Sequence, residues 1–130
     1  MKKIPLFILT IFFLTKSFGQ LNTKANEISQ QLTADSLKNI DNPEDYIKKE
    51  TIGGKLDYNK LLENEPATLF LCDGVAYNKK DFGIFLWGKK VRILGITSSK
   101  RATLLWEEIN NRQLTKPEKK SLERGFDNKG

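Results

Sequence analysis

The sequence predicts an α+β domain: N-terminal helices, a small sheet with an Asp-Gly hairpin, then C-terminal amphipathic helices. Three observations carry this. Thr68-Leu69-Phe70-Leu71-Cys72 is an apolar run of strand length, and Asp73-Gly74 followed by Val75-Ala76-Tyr77 is a tight-hairpin signal. Ala102, Leu105, Trp106 and Ile109 recur at i, i+3, i+4 and i+7, the period of one helix face. Before Ala67 the chain carries helical spacing and capping residues instead.

The chain opens MKKIPLFILTIFFLTKSFGQ. Lys2 and Lys3 precede the apolar run Ile4 to Leu14, and Ser17-Phe18-Gly19 places small residues before Gln20. This is the layout of a secretory signal peptide over residues 1–19. The apolar run is shorter than the ~20 residues of a membrane span, although an uncleaved N-terminal anchor is the competing reading. The expected destination is export, periplasmic or secreted. Cleavage after Gly19 would shorten 130 residues to 111, one domain by length. Three lysines and no acid leave with it, so the formal charge falls from +6 to +3. That mild balance, with acids interspersed, gives no case for nucleic acid as a partner.

In the segment 20–66, Leu21, Ala25, Ile28 and Leu32 step along one helix face, and a break is expected near Asp35-Ser36. Asn42 is placed to cap a second helix, with Pro43 in its first turn, Glu44 and Asp45 near its start and Lys48 and Lys49 near its end. Gly53-Gly54 should stop it. Asp57 is placed to cap a third helix carrying Tyr58, Leu61 and Leu62 on one side. The core of the same domain is expected over 67–125.

After the hairpin, DFGIFLWGKKVRILGI admits two readings. Phe82 to Trp87 and Val91 to Ile96 form two strands, or the first half is an irregular or helical connection and only Val91 to Ile96 is a strand. Ser98-Ser99 caps the helix that carries the Ala102 to Ile109 stripe, with Glu107, Glu108 and Arg112 facing away. Thr115 and Glu118 form a capping box, Pro117 suits the first turn, and Gly125 is a stop. The tail 126–130 is expected to fray.

Composition excludes much chemistry. The chain has no histidine and one cysteine, so neither Ser-His-Asp nor Cys-His pairs exist and no intramolecular disulfide forms. Cys72, among Leu69, Phe70 and Leu71, reads as a small buried apolar residue. No catalytic, cofactor-binding or metal-ligating set is assigned, and no cofactor is expected. Asp73 and Asp81, with Tyr77 nearby, are the candidates for carboxylate acid–base chemistry, and Asp73 reads first as a turn residue. Lys79, Lys80, Lys89, Lys90, Lys100 and Arg101 flank Phe82, Phe85 and Trp87, a combination suited to a membrane-surface face; ordinary solubilising lysines are the preferred reading.

Leu69-Phe70-Leu71-Cys72-Asp73-Gly74-Val75-Ala76-Tyr77 resembles the LYVIDGVPY strand-turn-strand of plug domains in TonB-dependent outer-membrane receptors. Val91, Leu94 and Ile96 match the family's following strand, and Ala102 to Trp106 match its ATALYG helix, so the resemblance covers 67–106. Leu86 to Lys90 lacks the family's Pro-x-Asp-Ile approach, and Glu107 stands where a glycine is usual. With no barrel in the sequence, the resemblance implies a small β-α-β-type module packed for contact with another protein or domain, and no catalysis. The expected function is therefore a non-enzymatic interaction module of the cell envelope with an envelope protein as partner. The alternatives are a small exported enzyme using carboxylates or a membrane-surface protein.

Overall fold

The computed structural model describes residues 21–22, 25–34 and 40–129. The signal peptide expected over 1–19 and the break near Asp35-Ser36 lie outside them. In chain order the elements are β1 (Leu21–Asn22), α1 (Ala25–Ala34), α2 (Pro43–Glu50), α3 (Tyr58–Leu62), β2 (Leu69–Cys72), β3 (Val75–Asn78), α4 (Lys79–Leu94), α5 (Ser99–Asn110) and α6 (Lys116–Asp127). The α+β class is as the sequence predicts. Leu21, expected on the first helix face, is instead in β1, which pairs parallel with β2 in the register Leu21↔Leu69.

Local chemistry sets the ends of most elements. The side chains of Asn42, Asp57, Ser98 and Thr115 accept from the backbone N–H three residues on and so begin α2, α3, α5 and α6. Thr115 and Glu118 close a full capping box. α2 ends at Glu50, before Gly53-Gly54. Leu61, expected beside Tyr58 and Leu62 on the inner face of α3, points to solvent. The hairpin joins β2 and β3 antiparallel, with Phe70 opposite Tyr77 and Cys72 opposite Val75. Asp73 (φ 49°) and Gly74 (φ 77°) both take positive φ, the requirement of a two-residue primed turn that Asp and Gly meet at low steric cost.

The main correction concerns residues 79–96. Neither reading of this stretch survives whole: Phe82 to Trp87 is not a strand, and neither is Val91 to Ile96. The chain passes from β3 straight into α4, a 16-residue helix. Asn78 caps it by accepting from the Asp81 N–H at 2.7 Å, and Gly95 at φ 121° ends it. α4 is buried on nearly every side from Phe82 to Val91. A helix enclosed by neighbours shows no apolar stripe, because every face meets core. Phe82 stacks on Phe70 with ring centres 4.9 Å apart, and Tyr77 lies 5.1 Å from Phe85, so α4 and the inner face of the hairpin share one aromatic core.

α6 crosses α4 at glycines. A β-carbon on Gly88 would lie 2.4 Å from the Leu122 carbonyl oxygen, and one on Gly125 would lie 1.9 Å from that of Phe85. Gly125 is thus an interior residue of α6 that admits close backbone approach, and not the stop the sequence suggests. The expectation of fraying also fails over 126–128: Phe126 is buried in the core and Asn128 hydrogen-bonds Lys89.

Candidate functional site

The residues singled out in the sequence are not brought together. Asp73 sits at the hairpin tip and Asp81 beyond the far end of β3. Four extended residues separate those ends, about 13 Å at the strand rise, outside the ~5–10 Å over which two carboxyls act on one bond. Asp73 and Tyr77 do line one cleft, of about 460 Å³, with Phe85, Arg124 and Asp127. Asp81 is not part of it. Burial pushes the Asp81 carboxyl above its ordinary value, and the nearby Glu118 charge adds to the rise. Burial likewise raises the Tyr77 phenol.

The grouping of basic and aromatic residues does not make a surface either. Phe82, Phe85 and Trp87 are core residues, and Lys89 and Lys90 are buried with them. Trp87 donates its indole N–H to Thr51 Oγ1 at 3.0 Å, and Thr51 in turn donates to the Ile47 carbonyl. No helix among the described residues is long and apolar enough to cross a membrane.

A polar cluster that sequence reasoning missed joins four parts of the chain. Its centre is Lys89 on α4, only 2 % exposed. Lys89 Nζ donates to Ser29 Oγ on α1 at 2.8 Å and to Asn128 Oδ1, just past α6, at 2.9 Å. Asn128 Nδ2 donates to the Asp73 carboxylate, and the Asp73 N–H donates to Asn26 Oδ1 at 3.1 Å. The cluster thus ties α1, the hairpin tip, α4 and the C-terminal end together. Burial holds the Lys89 ammonium below its ordinary value. Burial also raises the Cys72 thiol beside it, the Asp73 charge adding to the rise while a bond with Ser29 opposes it. No pattern in the sequence marks Lys89, since it reads as half of a turn-like Lys-Lys pair.

Ser29 against Lys89 has the atom types of a nucleophile and base. Ser29 is also only 2 % exposed, and it lines neither the 460 Å³ cleft nor the cleft of about 320 Å³ on the Lys89 side. Buried in this way and held by Lys89, Ser29 acts as a structural clamp between α1 and α4. The larger cleft near Trp106, about 550 Å³, has Asp57 as one of its acids. That carboxylate is already used by the N–H groups of Lys60 and Gly53. Among the described residues no group of three or more Cys, Asp or Glu side chains is placed to hold a metal ion.

The outer face of the hairpin carries two exposed leucines on one strand, where Ile52, Leu61 and Leu104 are exposed singly. Along β2, Phe70 and Cys72 point into the core while Leu69 and Leu71 point out, 44 % and 36 % exposed. Ala76, opposite Leu71 on β3, is exposed as well, and β3 is one of the two edge strands of the sheet. Compared with known proteins, the chain matches no family model, no curated protein and no solved structure.

Proposed function

We propose that the chain is a small exported, non-enzymatic interaction module of the cell envelope, and that it makes contact through the outer face of its hairpin. One observation carries the reading: Leu69 and Leu71 hold an apolar strip in solvent on a hairpin whose other face packs Phe70, Cys72 and Tyr77 into the core. Alternation along a strand sends every second side chain to the outer face, and two-faced sheets in water place polar residues there. Leucines at those positions are recovered when a partner covers them. The layout of residues 1–19 supports export. That Asp73 lines a cleft of which Asp81 is no part weighs against the carboxylate enzyme.

The test is a paired variant, Leu69→Lys with Leu71→Lys, expressed at native level in the source cells. Both side chains already face solvent, so the fold should tolerate the change. Recovery of a stoichiometric envelope partner with the native protein, and its loss with the variant, supports the reading. An equal set of associated proteins for both would overturn it.

A further inference from the structure

The cleft on the Lys89 side has a lining of one sign. About 320 Å³ in volume, it is bounded among the described residues by Lys89, Arg92, Ile93, Asn128 and Lys129: three cations, an amide and an aliphatic side chain, with no acid among them. Lys89 and Arg92 are three residues apart on α4 and so share a face. Their existing bonds leave donors over. An ammonium has three N–H donors, and Ser29 and Asn128, both uncharged acceptors, take two. A guanidinium has five, and the Arg92 bond to the Phe126 carbonyl at 2.8 Å, an ordinary cap for the end of α6, takes one. That bond, with the guanidinium 5.3 Å over the Phe126 ring, fixes the Arg92 side chain at the mouth of the cleft.

A buried lysine whose bonded partners are neutral is uncommon, because a cation withdrawn from water is normally paired with an opposite charge. Here the side chain is 2 % exposed and lines a cleft that holds two further cations. Asn128 is turned by its bond to Asp73 so that its carbonyl oxygen faces Lys89. Asp73, the acid of the cluster, is thereby engaged on the other side of Asn128, in the neighbouring cleft.

We infer that this cleft is a binding site for a small oxyanion, a phosphate monoester or a dianion of similar size, with Arg92 as the forked donor, Lys89 as the buried charge at the base and Lys129 closing the rim. Planar guanidinium donors match phosphate oxygens in pairs, and a desolvated ammonium adds a charge-assisted bond. The volume suits a headgroup-sized ligand. The site is independent of the hairpin face.

The experiment is a titration of the purified, isotope-labelled protein with inorganic phosphate, followed by amide NMR shifts, with chloride at matched ionic strength as the control. Saturable shifts at Lys89, Arg92, Asn128 and Lys129 with phosphate and not chloride are expected, weakened about tenfold or more in Arg92→Gln. Arg92 is exposed, so that variant should fold, and Lys129→Gln, beyond the last helix, gives a second and milder loss. Absence of saturation, equal shifts with chloride, or unchanged phosphate affinity in both variants would overturn the site.

Discussion

Gly125 on α6 lies against the Phe85 carbonyl of α4 so closely that a β-carbon there would stand 1.9 Å from the oxygen. The opposing contact, Gly88 against Leu122, repeats the device one turn along. The two helices therefore meet backbone to backbone. Gly125→Ala should destabilise by about 3 kcal/mol, the upper end of overpacking costs, because a main-chain oxygen cannot rotate aside. Glu123→Ala, on the exposed side of the same helix, should stay within ~0.5 kcal/mol. Urea midpoints at constant slope measure both, and equal midpoints would contradict the close crossing.

Glu118 provides a pH signature. It is 2 % exposed and takes two bonds from Arg112, at 2.9 and 2.8 Å, together with the Thr115 N–H and Lys80. The Arg112 guanidinium holds its carboxyl well below the usual carboxylate range, with the Thr115 and Lys80 bonds acting the same way against burial. A depressed carboxyl contributes stability that is complete above the ordinary Glu value of ~4.3 and is lost as pH falls from there toward the lowered value. Glu118→Gln should cost about 2 kcal/mol at neutral pH. It should also flatten the loss of stability below pH ~4.5, while the two proteins run parallel above pH ~6. An unchanged acid limb in chemical denaturation would contradict the assignment.

Cys72 should be inert. It is 1 % exposed on the inner face of β2, and burial raises its thiol. Labelling by a thiol reagent should proceed only through opening of the core, so its rate should rise with denaturant in step with unfolding. Rapid labelling of the native protein, or a disulfide-linked dimer under oxidation, would contradict this placement.

What was legible in the sequence was local. Caps at Asn42, Asp57, Ser98 and Thr115 act through a hydrogen bond three residues away, and the Asp73-Gly74 turn through its own backbone angles, so neither needs the rest of the fold. The stripe from Ala102 to Ile109 was legible because α5 has a wet side. α4 was not, because Phe82, Ile84, Phe85, Leu86 and Trp87 meet neighbours on all sides and their β-favouring aromatics mimic a strand. Asn78 with Asp81 three residues on was the available sign of a helix start. Lys89 and Gly125 owe their roles to residues 60 and 40 positions away, Ser29 and Phe85. Nothing in their own neighbourhoods shows it.

The most direct test of the hairpin as contact surface is a photo-cross-linking side chain placed at position 71, and separately at 104, in the source cells. Leu71 and Leu104 are both exposed leucines, one on the hairpin face and the other on α5, so reactivity alone does not distinguish them. The account predicts one dominant adduct of defined mass from position 71 and none, or only scattered background, from 104. No adduct at 71, or the same adducts from both positions, would contradict it.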